Sequence, residues 1–260
     1  MLSLLSPLLL LLPTLPTAFS SPVLTTRQKT PLDYPPRITS EAFTLIANVT
    51  TSPPTNPIFS DPPIQNWVLT SERVGAGRYA AILAPPSTIH PGSAILFLNG
   101  TTRDISAENT RVLAPPLNIT NGNPIPLGMQ FTVPFSDTNN TGLVGVGINF
   151  GTGDVGAGIG VGLRDPYARL FPPVGLQPGR FVVCREASPT YGRPEYPVFW
   201  ARFGGGGEEW VVPGNCVEIA LLAQCAKLPE AGLAGEKELG IVRAEVGCYE
   251  DVKGIDWSKW

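Results

Sequence analysis

GLVGVGINFGTGDVGAGIGVGL, Gly142 to Leu163, is the stretch that decides between two fold classes. Within it, Gly151-Thr-Gly153-Asp-Val-Gly156 has the Gly-x-Gly-x-x-Gly spacing of a dinucleotide-binding loop. That loop needs a helix after it, because the pyrophosphate sits at a helix N-terminus. No helical period follows here. Glycine recurs at every second position, Gly156, Gly158, Gly160 and Gly162, with Ala157, Ile159, Val161 and Leu163 between. Val144, Val146, Ile148 and Phe150 alternate in the same way before the turn. Period-two alternation marks β-structure. The stretch reads as a β-hairpin with one nearly bare glycine face, which a second backbone or a flat ring can approach closely.

The rest of the chain agrees with β-structure. Its 28 Gly and 29 Pro together exceed a fifth of 260 residues, and both types disfavour helix interiors. An apolar content of 43% is too high for a disordered chain. In Ala42–Thr50 the residues Phe43, Leu45, Ala47 and Val49 form one apolar row, and Thr44, Ile46 and Asn48 the other. Ile46 then needs cover on the outer side. Ala94–Leu98 runs into Asn99-Gly100, a common two-residue hairpin turn, with Thr101–Ile105 as the returning strand. Gln224–Glu238 has the composition of one short helix. These readings predict an all-β fold: an antiparallel β-sandwich with hairpins, at most one or two short helices, and two disulfides in the C-terminal third.

Residues 1–20, MLSLLSPLLLLLPTLPTAFS, have the layout of a secretory signal peptide. A leucine-rich core, Leu2–Leu12, precedes Pro13, Pro16 and the small residues of Ala18-Phe19-Ser20. The apolar run is too short to span a bilayer. Residues 21–40 read as a Pro-rich arm, 41–250 as a single β-sandwich-like domain and 251–260 as a C-terminal tail. The expected location is extracellular, free or associated with the cell wall, with no membrane association after cleavage. A net charge of -3 without a basic patch argues against nucleic acid as a partner. Sequons at Asn48, Asn99, Asn118 and Asn139 are acceptor sites for N-linked glycans in that compartment.

Four cysteines in an exported chain predict two bridges. Cys216 and Cys225 flank an extended run and stand too far apart to join. An antiparallel pairing of Val217–Ala223 with Leu239–Tyr249, turning near Gly232, sets Cys216 opposite Cys248. The expected connectivity is therefore Cys216–Cys248 with Cys184–Cys225.

Chemistry is sparse. His90, the single histidine, lies in the turn-like Ile89-His90-Pro91-Gly92, and no Gly-x-Ser-x-Gly elbow accompanies it. CxxC spacing is absent, and Ser136–Asn140 lacks EF-hand spacing, so neither a metal nor a cofactor is expected. Paired carboxylates are the one hydrolytic route left open, with Glu186, Glu195 and Glu218 available; the neighbours Glu208 and Glu209 would point to opposite faces of a strand. Trp200 and Trp210 sit in strand-like runs and read as core. Trp257 and Trp260 lie in a polar tail, where they could contact a glycan or cap the glycine face.

Phe43-Thr-Leu-Ile-Ala-Asn-Val-Thr, Asn66-Trp-Val-Leu-Thr-Ser with Gly75-Ala-Gly, Leu98-Asn-Gly-Thr, Gly179-Arg-Phe-Val-Val-Cys184 and Cys216-Val-Glu-Ile-Ala-Leu-Leu-Ala-Gln-Cys225 form a recurring set. Across residues 41–250 the chain resembles a family of small secreted proteins of filamentous ascomycete fungi that form a domain of unknown function. The resemblance implies secretion and one domain, and it carries no catalytic residues. The leading expectation is a non-enzymatic glycoprotein, wall-associated or binding a glycan or a host surface. The alternatives are a secreted hydrolase with paired carboxylates and a purely structural surface protein.

Overall fold

The computed structural model describes residue 35 and residues 37–51, 63–118 (except 77, 91 and 108), 124–132, 142–159 (except 152 and 155), 167–187, 194–202, 211–228 and 240–257. All of these belong to the compact unit that follows Asp33. Its first elements are β1 (Ile38–Ser40), β2 (Ala42–Val49), β3 (Val68–Gly75), β4 (Arg78–Ala84), β5 (Phe97–Asn99) and α1 (Thr102–Ser106). Next come β6 (Arg111–Asn118), β7 (Pro124–Thr132), β8 (Leu143–Phe150), β9 (Gly158–Ile159), β10 (Leu170–Phe171) and β11 (Gly179–Cys184). The last are β12 (Glu186–Ala187), β13 (Pro194–Glu195), β14 (Val198–Arg202), β15 (Cys216–Ala226), β16 (Arg243–Ala244) and β17 (Val246–Cys248).

The expected sandwich is a closed barrel. Strands run β14–β11–β15–β2–β3–β4–β8, and β8 pairs back onto β14, giving a ring of seven. The closing register is Phe199↔Gly145, Trp200↔Val144 and Ala201↔Leu143. β8 also carries β7, β6, β5 and β16 as an extension. That extension curls back to β2, where Phe43 and Leu96 exchange backbone hydrogen bonds of 2.9 and 2.8 Å. Closure removes the open strand edges that a sandwich must protect.

Side-chain alternation fills the interior. Phe43, Leu45 and Ala47 of β2 are fully buried, as the sequence row predicts. Ile46, on the opposite row, is buried as well, because the turn around Pro86–Ile95 lies over it. β15 is covered on both faces, so Cys216–Ala223 are all buried. Its one charge, Glu218, is balanced by Arg180 at 2.6 Å. Trp67 meets Tyr196 edge-on, and Trp200 meets Phe181, at 5.0 and 4.8 Å between ring centres. Trp200 is thus core, as expected, and Trp210 lies outside the described residues.

Four local expectations change. Gly142–Leu163 is not one hairpin: β8 pairs with β7, β14 and β4, whereas β9 pairs with β10. Gly151, Gly153 and Gly156 all adopt positive φ, at 120°, 74° and 91°. The chain therefore leaves the strand direction after Phe150 and crosses β7, where Asp154 N–H donates to Met129 O at 2.8 Å. The Asp154 carboxylate also accepts from Phe131 N–H at 2.6 Å.

Asn99-Gly100 is not a hairpin turn either. Thr101 caps α1 in a reciprocal box with Asp104. Hydrogen bonds from Thr101 hold the Asp104 carboxyl below its ordinary pKa. That Thr-x-x-Asp signal lay in the sequence and outweighs the turn propensity of Asn-Gly. Finally, β1 falls inside the stretch read as an arm, paired with β17. Gln224–Ala226 are the end of β15, and 229–239, where the helix was expected, lie outside the described residues.

The disulfides are Cys184–Cys216 and Cys225–Cys248, which overturns the expected connectivity. β15 does not pair antiparallel with the 239–249 segment. It lies between β11 and β2, and Cys184 faces Cys216 directly in the β11–β15 register. The 249 end meets β15 in parallel at Gln224↔Tyr249, which sets Cys225 beside Cys248.

Three measurements check this architecture. A Cβ on Gly147 would stand 2.8 Å from both Tyr79 O and the Asn149 amide nitrogen. Gly147→Ala is expected to lower stability by about 2 kcal/mol in urea unfolding with an unchanged m-value, the magnitude of overpacking. A wild-type midpoint would reject the close approach. Removing the second bridge with Cys225→Ala/Cys248→Ala should lower stability by about 3 kcal/mol, and non-reducing peptide mapping of the wild type should recover Cys184 joined to Cys216.

Candidate functional site

The outer face of β8 is nearly bare. Gly145 and Gly147 leave the barrel's outer row there without side chains, while Val144, Val146 and Ile148 point inward and are buried. Asn149 is taken up structurally, accepting from Tyr79 N–H at 2.7 Å and donating to Gln130 at 3.1 Å. A groove of about 220 Å³ runs over this floor, bounded by Arg78 of β4, Phe199 of β14 and the β12–β13 ribbon.

That ribbon carries the titratable groups. Glu186 and Glu195 are direct antiparallel partners. Residues opposite one another in such a pair have Cβ atoms roughly 4.5–5.5 Å apart, and like charges there repel. Desolvation against the groove wall, and then the charge of Glu195, push the Glu186 carboxyl above its ordinary pKa. One Glu195 carboxylate oxygen is buried without a hydrogen-bond partner. The base of the ribbon is fixed by the Cys184–Cys216 bridge on one strand and by Ile82↔Pro197 on the other.

Of the three carboxylates open to hydrolytic pairing, the fold brings Glu186 and Glu195 together and commits Glu218 to Arg180. The pairing has a sequence trace: Glu186-Ala187 and Pro194-Glu195 stand symmetrically about Ser188-Pro-Thr-Tyr-Gly-Arg193. Such two-residue strands are too short for a periodicity to reveal them. Arg78, which the sequence reading passed over, carries no motif.

The remaining residues are dispersed. Trp257 is half-buried and packs edge-on between Tyr167 and Tyr249, at 6.1 and 5.8 Å, where the tail folds onto the core. Trp260, Asn139, Glu208, Glu209 and the Ser136–Asn140 loop lie outside the described residues. Asn48 faces outward, half-buried, and accepts from Gln65 at 3.0 Å. Asn99 is not at an exposed turn tip but half-buried at the end of β5, accepting from Val242 N–H at 2.8 Å. Asn118 ends β6. His90 is exposed in a turn, its carbonyl accepting from Ser93. Among the described residues no three His, Cys, Asp or Glu side chains cluster as a metal site.

Residues 40–225 match the family described as "Domain of unknown function (DUF7907)", and the chain belongs to it. It is also 27% identical over 236 residues to "Antigenic protein SchS34" of Stachybotrys chartarum, covering 88% of this chain and 94% of that protein. The resemblance to a fungal domain of unknown function is thus borne out. No solved structure matches the chain.

The raised pKa of Glu186 has a definite consequence for stability. Below the ordinary carboxylate range both folded and unfolded states are protonated there, and the group is neutral in effect. Above the raised folded value the native state carries a charge that it disfavours, so Glu186 lowers stability. Glu186→Gln is expected to raise Tm at pH 7 and leave it unchanged at pH 3. An equal rise at both pH values would reject the repulsion between the two carboxylates.

Proposed function

We propose that this chain is a secreted, non-enzymatic glycoprotein that binds a polysaccharide of the cell wall or of a host surface through the groove over β8. One observation carries the reading: a groove over β8 whose floor is backbone at Gly145, with the Asn149 amide over Gly147, edged by Arg78, Glu186, Glu195 and Phe199. A pyranose ring has a flat apolar face and a rim of hydroxyls. The backbone at Gly145 admits the face, and charged side chains hydrogen-bond the rim. Secretion is supported by the leader-like residues 1–20 and by two disulfides, which persist in oxidising compartments. No helix among the described residues is long and apolar enough to cross a membrane. A relative named as an antigenic protein is consistent with a surface role. Asn48, Asn99, Asn118 and Asn139 are the proposed glycan acceptors.

A second reading is favoured by Glu186 facing Glu195. Two neighbouring carboxyl groups beside a groove, with that of Glu186 raised by its surroundings, are the kind of pair a hydrolase of glycosidic bonds uses. Both readings are tested together by presenting the purified protein with a panel of fungal and plant wall polysaccharides at pH 5. Saturable binding is expected, weakened at least fivefold by Arg78→Ala and by Glu195→Gln at unchanged Tm, without release of reducing ends. Binding to no polysaccharide would overturn the proposal. Release of reducing ends, abolished in Glu186→Gln, would replace it with the hydrolase.

A further inference from the structure

The outward residue Ile46 lies beneath the Pro86–Ile95 turn, and the cover is incomplete. A second cleft of about 240 Å³ remains there, sharing no residue with the groove over β8. Its apolar lining includes Ile46, Val68, Ile89, Ala94 and Ile95. Its polar lining is Thr44, His90, Gln224 and Lys253. We propose that this cleft binds a small amphipathic carboxylate, an apolar chain or ring of about six carbons with one anionic headgroup.

Size, charge and hydrogen bonding each point to that class. An apolar cavity of roughly 150 Å³ holds a benzene molecule. The larger volume here admits a ring or short chain together with a carboxylate. No Asp or Glu lines the cleft, and Lys253 is its charged group. The nearest acidic neighbour in sequence, Asp251, accepts from the backbone N–H of Lys253 at 3.0 Å. No ion pair to the Lys253 ammonium occurs among the described residues. Gln224 accepts from Val252 N–H at 3.1 Å through its carbonyl oxygen, which leaves its amide N–H groups as donors. Ammonium, amide and imidazole therefore offer donors to an oxyanion, whereas a cationic ligand would meet Lys253 unfavourably. Burial of the apolar part against Ile46 and Ala94 supplies the remaining affinity.

The test is a titration of the full chain with sodium hexanoate, hexylamine and hexanol, followed by methyl NMR at Ile46, Val68, Ile89, Ala94 and Ile95. Hexanoate is expected to shift these methyls saturably and to bind more tightly than hexylamine. Lys253→Gln, a change at an exposed residue, should weaken hexanoate roughly tenfold and leave hexanol within twofold. The absence of saturable shifts with hexanoate would overturn the proposal. So would hexylamine binding as tightly as hexanoate, or hexanoate binding that ignores Lys253→Gln.

Discussion

One edge of β8 is shared by two strands, and that arrangement closes the barrel. Along its other edge β8 pairs with β7 from Thr132↔Gly145 to Leu127↔Phe150. On the shared edge it meets β14 at Leu143–Gly145 and β4 at Gly147. β4 also meets the residue just before β14, at Ile82↔Pro197. Three backbones converge where side chains on β8 would hold them apart. At Gly147 a Cβ would lie 2.8 Å from the carbonyl oxygen of Tyr79. Glycine at this point permits the closure, and a closed ring has no free edge to protect against pairing with another chain.

The same constraint makes the groove. Strands that meet over glycine leave a floor low in side chains, and the ribbon of β12 and β13 rises beside it from the junction. Cys184 bridges to Cys216 at one root of the ribbon, and Cys184 N–H donates to Pro197 O at 3.1 Å. Two facing glutamates are unfavourable on so short a pair of strands. They are held in place by the covalent and hydrogen-bonded base, not by their own attraction. A repulsive pair carried by a rigid base resembles a functional feature more than a stabilising one.

Much of the local structure was legible in the sequence. The alternation of Phe43, Leu45 and Ala47, and of Val144, Val146 and Ile148, depends only on strand geometry, and it survives in the structure. The glycine face of β8 likewise admits a neighbouring backbone, as its pattern implied. Closure was not legible, because it depends on the pairing of Val144 with Trp200, far apart in the chain and without a local signature. The disulfides failed for the same reason: spacing constrains a bridge only once the neighbours of β15 are known. At Asn99-Gly100 two local signals competed, and the Thr101–Asp104 cap prevailed. Glu186 and Glu195 were both visible as residues, yet their opposition required a register that two-residue strands do not advertise.

The C-terminal tail links the core to the second cleft. Trp257 packs against Tyr249 and Tyr167, and Tyr249 accepts through its hydroxyl oxygen from Ala168 N–H at 3.1 Å. Val252 is fully buried, and its N–H donates to Gln224. The Cys225–Cys248 bridge fixes this segment to β15 just before Lys253 emerges. Trp257, for which the sequence left glycan contact and capping of the glycine face both open, anchors the tail, and the anchored tail positions the ammonium at the mouth of the cleft. A lysine on a free tail would sample many directions and lose side-chain and backbone entropy on meeting an anion. Held from Cys248 to Trp257, its backbone is ordered in advance, which is the condition under which one exposed cation can discriminate between a carboxylate and an amine.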